Sequence, residues 1–217
     1  MTGRDKLCSM PEAPWYRDGK LGWAGTESQR DDQIERAKRL EGRNIVEVHY
    51  FTLDYGRMDN PSALKEPRLV VNSSELKDPL WRHDDFDSVD FYIQLDTDDQ
   101  SIFTIGWDPP TSTESLWMRE GSTGGEPFAE STSVAIWDVT GSRIWRSIVG
   151  GVVSSVYLRY RAWNEPKGFG CDLVVLEIGN IRLGVFLADV GDGNAIDPST
   201  NNLIVLNALR LPDWMNT

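Results

Sequence analysis

Only two cysteines, Cys8 and Cys171, occur in the 217 residues, and they stand in very different surroundings. No disulfide framework is indicated, and reduced thiols fit a cytoplasmic protein. No run approaches the roughly 18 apolar residues of a membrane span, and the first 25 residues lack the apolar stretch of a secretory signal. Positive charge is also short: 22 Lys and Arg against 34 Asp and Glu, a formal net charge of -12. That balance argues against nucleic acid as the direct ligand, because phosphate binding needs a basic surface. It permits a basic protein partner, which an acidic surface steers into contact. Catalytic and cofactor signatures are missing too: Gly-x-Ser-x-Gly, the phosphate-cradling Gly-x-x-x-x-Gly-Lys, Gly-x-Gly-x-x-Gly and His-Glu-x-x-His. No catalytic residue, cofactor or metal is therefore assigned.

What is present is a core and a plan used twice. Hydrophobic residues make up 40% of the chain, and tryptophan, at 9, is abundant. Rings of that size bury much area each, so most are expected inside one compact domain. A first unit over about 42–107 opens with Gly42-Arg43-Asn44-Ile45, and a second over about 150–187 opens with Gly150-Gly151-Val152-Val153. Each opening leads into a strand and then a hairpin. Phe91, Ile93 and Leu95 alternate before the acidic turn at 96–100 and a return over 102–107. Val174, Leu176 and Ile178 alternate before Gly179-Asn180 and a return over 181–187. The expected fold is α+β, mostly antiparallel β, from two pseudo-repeated β-β-β units with one or two external helices.

Around the units, residues 1–25 read as an irregular arm whose Trp15, Tyr16 and Trp23 pack back on the body. Residues 26–41 carry the clearest helix: Thr26 with Gln29 has the capping-box form, Ile34, Ala37 and Leu40 make a narrow stripe, and Gly42 ends it. Asp32–Arg36 and Glu35–Arg39 are favourable four-apart pairs. Residues 26–110 thus hold the helix and first unit. Residues 111–140 read as a Ser-, Thr- and Gly-rich connection with a short strand at 134–137, and 141–217 as the second unit with a C-terminal strand. A short helix is expected near Ile144, Trp145 and Ile148.

Several residues invite a chemical reading. Glu47 and His49, two apart on one strand face, have the composition of a general-base pair. His83 with Asp84, Asp85 and Asp87 has imidazole and carboxylates, but no second histidine or cysteine pair at ligand spacing. The loop from Asp189 through Asp192 and Asn194 to Asp197 offers calcium-type oxygens, yet lacks the alternating order and closing Glu of the EF-hand. Solvated faces and ordinary turns account for all three more simply. Cys171 is expected to be an inert core thiol.

In general character, acidic, single-domain and free of catalytic motifs, the chain resembles bacterial immunity proteins, the cytoplasmic antidotes to polymorphic toxins. Trp137-Asp138-Val139, Ile144-Trp145-Arg146 and the Gly150-Gly151 hinge are similar to a class of uncharacterised bacterial proteins with a two-unit layout, over about the last two-thirds of the chain. The resemblance implies a protein that covers a toxin's active cleft and transfers no site residue. The residues expected to face a basic toxin are the turn carboxylates Asp96, Asp98 and Asp99, with Glu120, Asp189 and Asp192, and Trp117 as an exposed aromatic anchor. A small-ligand or carbohydrate-binding module using tryptophan and acidic loops is the alternative.

Overall fold

The computed structural model describes residues 21–55, 57, 67–71, 73–108, 114–122, 133–164, 167–207, 211–212 and 215. The expected arm up to residue 20, with Cys8, Trp15 and Tyr16, lies outside them, as does most of the mid-chain loop. A two-residue strand β1 (Trp23–Ala24) precedes helix α1 (Glu27–Ala37). The Thr26 hydroxyl accepts from the Gln29 amide at 3.2 Å, and Gln29 Oε1 accepts from the Gly25 amide at 2.8 Å, which closes the expected cap. Ala37 and Leu40 are fully buried. The four-apart pair Glu35–Arg39 does not form: Glu35 binds Lys38 and Arg39 reaches Glu120.

The strands follow as β2 (Ile45–Leu53), β3 (Arg68–Leu69), β4 (Phe86–Val89), β5 (Tyr92–Thr97), β6 (Ile102–Trp107), β7 (Leu116–Glu120), β8 (Val134–Asp138), β9 (Val153–Asn164), β10 (Lys167–Ile178), β11 (Ile181–Val190) and β12 (Ile196–Asn207), with a five-residue helix α2 (Ser73–Lys77) between β3 and β4. They make two six-stranded sheets. One has the order β3-β8-β2-β5-β6-β7. The other runs β10-β11-β12-β4, with β9 on the free edge of β10 and β1 beside β10 as well. Every pairing is antiparallel except β3 with β8. The mostly antiparallel β character read from the sequence therefore stands.

Alternation explains which faces meet. Val48, Tyr50, Ile93, Leu95, Phe103 and Ile105 of one sheet join Val156, Leu158, Val174, Leu176, Val185 and Val205 of the other in one apolar cluster. The strands β10 to β12 are also apolar on their second face, where Leu173, Val175, Phe186 and Ile204 pack with Met215. Strands buried on both sides read as unbroken apolar runs, as Val174-Val175-Leu176 does.

The two hinges bind each other. Gly42 N–H donates to Val153 O at 2.8 Å and Gly150 N–H to Ile45 O at 2.7 Å; Val153 N–H donates to Arg43 O at 2.9 Å and Ile45 N–H to Gly151 O at 3.4 Å. Both glycines have φ +83°, a left-handed conformation that costs a side chain strain. Each following strand then carries a bulge: the register skips Val46 between Ile45–Thr97 and Glu47–Asp96, and Ser154 between Val153–Ile178 and Ser155–Glu177.

β10 is served unevenly. β9 flanks it throughout, β11 pairs only with residues 173–178, and β1 takes Phe169 and Gly170. β1 is moored by Asp108, whose carboxylate accepts from the Leu21 and Gly22 amides at 2.7 and 2.9 Å, and by the Gln33 amide on the Leu21 and Trp23 carbonyls.

Two expectations are corrected. Residues 116–120, read as part of a connection, form edge strand β7, paired with β6 from Phe103 to Trp107. Residues 141–149, read as a short helix, are successive turns in which Trp145 is wholly buried. No helix among the described residues is long and apolar enough to cross a membrane.

Candidate functional site

A cavity of about 590 Å³ opens between the sheets where β2 ends. Thr52, Asp54, Ala135 and Trp137 line it from one sheet, Ser88, Val190 and Asn202 from the other, and Trp81 and Leu80 from the connection before β4. Trp81 and Trp137 line its inner wall, and an aromatic row continues behind them. The rings of Trp145 and Tyr50 meet edge-on at 6.4 Å, Tyr50 and Trp81 at 5.1 Å, and Trp81 and Trp137 at 5.7 Å. The Trp137 indole N–H donates to Thr52 Oγ1 at 2.9 Å. That of Trp81 is buried without a hydrogen-bond partner, a position that suits an incoming acceptor.

The charges of this wall are arranged around one guanidinium. Arg68 donates from Nε and Nη2 to both oxygens of Asp54, at 2.9 and 3.0 Å, and from Nη1 and Nη2 to Glu75, at 3.1 and 2.8 Å. The bonds to Asp54 first, then to Glu75, push the guanidinium further toward its charged form. Asp54 is 1% exposed, so without Arg68 a desolvated charge would rest largely on Arg57, 3.5 Å away. Asp90 accepts from the Leu53 amide at 2.8 Å and the Tyr55 hydroxyl at 3.2 Å. Burial raises the Asp90 carboxyl above the usual carboxylate range against those donors. Burial, then Asp90, pushes the Tyr55 phenol up to about 12. With Asp78, the lining holds four carboxylates against one guanidinium, a negative surplus beside aromatic faces. Such a combination is suited to a cation, by charge and by the ring quadrupole.

Behind the wall runs a buried chain of hydrogen bonds. The Trp145 indole donates to the Tyr50 hydroxyl at 2.6 Å, which donates to Asp87 Oδ2 at 2.9 Å. Burial holds the Asp87 carboxyl up at about 6, opposed by Tyr50 and the cations of Arg143 and Arg82.

The residues chosen from sequence divide between the two ends of β2. Asp96, Asp98, Asp99 and Glu120 sit at its start, and several serve the fold. Asp98 accepts from the Asn44 amide at 3.3 Å and side chain at 2.6 Å. Asp99 accepts from the Thr97 hydroxyl at 2.6 Å and meets Arg43 at 3.2 Å. Glu120 lies 3.5 Å from Arg39. Asp189 and Asp192 belong to the far end, where Val190 lines the cavity. Trp117, expected as an exposed anchor, is buried at 6% exposure. Gly106 opposite it on β6 leaves room for the ring, which also meets Tyr92 at 5.5 Å. Trp163 departs from the expectation that most tryptophans lie inside and is exposed at 42%.

Comparison with models of known protein families, with curated proteins and with solved structures finds no match to this chain. Any reading of the site rests on its own geometry.

His83 does reach the cavity. Its ring stacks on Phe86 at 4.5 Å, and Nδ1 lies 3.1 Å from Asn194 Oδ1, so the two acidic loops noted in the sequence meet across 111 residues. Cys171 is wholly buried, and burial raises its thiol far above the ordinary range, as an inert thiol requires. The group of three side chains among the described residues able to hold a metal ion is Glu47, His49 and Asp96. Sequence reasoning did not single out Asp54, Arg68, Glu75 and Trp81, which come together from separate segments of the chain.

Proposed function

We propose that the chain is a non-catalytic acidic binding protein that neutralises a basic protein partner by docking the cavity end against it, as immunity-type antidotes cover a toxin, in a cytoplasmic setting. One observation carries this reading. Of the nine large apolar side chains exposed among the described residues, five (Tyr55, Leu69, Val71, Leu76 and Leu80) fall between positions 55 and 80, the stretch that also supplies Arg68, Glu75 and Asp78 to the wall. Exposed apolar side chains rimmed by charged and polar groups mark interaction surfaces. A lysine or arginine of the partner would find carboxylates and indole faces inside. The turn carboxylates Asp98 and Asp99 then serve the hinge, and recognition moves to the other end of β2.

The cavity favours a second reading, a small cationic or carbohydrate ligand. Its volume of about 590 Å³ lies within the roughly 300–1,000 Å³ of small-molecule sites. One experiment separates the two. Wild type, the mouth variant Asp78→Arg with Leu80→Arg, and the far-end control Asp99→Asn are used as bait in the native host, with mass spectrometry of what is retained. A stoichiometric basic protein held by wild type and control and lost from the mouth variant is expected. Equal retention by all three would sink the protein-partner reading, and a small molecule carried by wild type and control but not by the mouth variant would establish the second.

The proposal includes the scaffold: two β-β-β units, about 42–107 and 150–187, built on one plan. The reciprocal hinge bonds support it. So do the bulges, each four residues past its hinge glycine, and the matching orders β2-β5-β6 and β9-β10-β11.

A further inference from the structure

The geometry points to a second site, unrelated to the cavity: Glu47, His49 and Asp96 bind a divalent transition-metal ion, zinc by their donor set. Glu47 and His49 alternate on β2 with Val48 and Tyr50, so they stand on the outer face of the sheet. Asp96 is the residue opposite Glu47 on β5. Their ligand atoms all lie within 4.8 Å of one another. His49 Nδ1 lies 4.0 Å from Asp96 Oδ2, too far for a hydrogen bond, and is buried with no hydrogen-bond partner. Ligands held at about 2.0–2.2 Å from one zinc ion stand roughly 3.4 Å apart, so a small side-chain movement closes the set.

The surroundings orient the ligands as metal sites require. Gln94 Nε2 donates to Asp96 Oδ1 at 2.8 Å, which leaves Oδ2 turned to the imidazole. The Ser122 hydroxyl donates to Gln94 Oε1 at 3.1 Å and fixes that amide. Asp138, opposite His49 on β8, adds negative charge on the same face. Paired strands hold the backbone of all three ligands, so little ordering remains to be done on binding. One nitrogen and two carboxylates suit zinc and its neighbours better than calcium or magnesium, which take oxygen alone. Three protein ligands on an outer face also leave a coordination position for water or a donor from outside.

The test is zinc titration of the full chain by calorimetry and native mass spectrometry, with magnesium and calcium as controls. Wild type should take up one zinc per chain at micromolar concentration and gain thermal stability from it. His49→Ala should weaken this uptake by at least about 100-fold, and Gln94→Ala by roughly 10- to 100-fold. His83→Ala should bind as wild type does. Glu47 is exposed, so Glu47→Gln should fold normally and still lose affinity, which keeps the test decisive if His49→Ala does not fold. No saturable uptake by wild type, or unchanged uptake by Glu47→Gln or His49→Ala, would overturn the assignment.

Discussion

Asp87 shows how one carboxyl couples the aromatic core to pH. It is 2% exposed and accepts from Tyr50, and burial sets its pKa at about 6. In the unfolded chain an aspartate titrates near 3.9. Between those values the folded state keeps a proton that the unfolded state has released, so stability falls as pH rises through the window and the loss is complete above about pH 6. The difference corresponds to about 3 kcal/mol. Asp87→Asn removes this contribution. Urea unfolding from about pH 4 to about pH 7 should show wild type losing roughly that much relative to the variant. Parallel profiles would mean that the carboxyl ionises as freely in the fold as in water.

The elements repeat a local device at Gly42 and Gly150. Both have φ +83°, and a Cβ added at either meets nothing within 4 Å. The cost of alanine there is therefore backbone strain alone, about 1 kcal/mol at each position. Gly42→Ala and Gly150→Ala should destabilise equally in urea unfolding; a large inequality would break the equivalence of the hinges. Strands closed by tight turns were legible in the sequence. Ile93 and Leu95 alternate before an acidic turn, and Leu176 and Ile178 before Gly179-Asn180, so period and turn chemistry are both local. The strands β1 and β4, of two and four residues, exist only through partners distant in the chain, whereas the apolar run Leu69-Val70-Val71 hints at a short strand where β3 pairs with β8. β7 hid in a Ser- and Gly-rich stretch, and Trp117 is buried because of Gly106, eleven positions earlier. The candidate site was less legible still. Asp54, Arg68 and Glu75 converge from the end of β2, from β3 and from α2, a relation that spacing does not encode.

At the scale of the whole molecule, one apolar cluster takes side chains from both sheets, from α1 and from the 141–149 turns. Neither half has a core of its own within it, so the chain should unfold in a single transition. Far-ultraviolet and near-ultraviolet circular dichroism, the latter reporting Trp145 and Trp81, should trace superimposable denaturation curves; separated midpoints would reveal two independent lobes. The margin of this body depends on a small part. Where β11 turns away from β10, Trp23 and Ala24 close the gap. Were that dipeptide peeled back, the main-chain groups of Phe169 and Gly170 along this edge would be left bare, a template on which further chains could stack strand upon strand. The Asp108 carboxylate and the Gln33 amide that moor this dipeptide thereby act as a latch against aggregation.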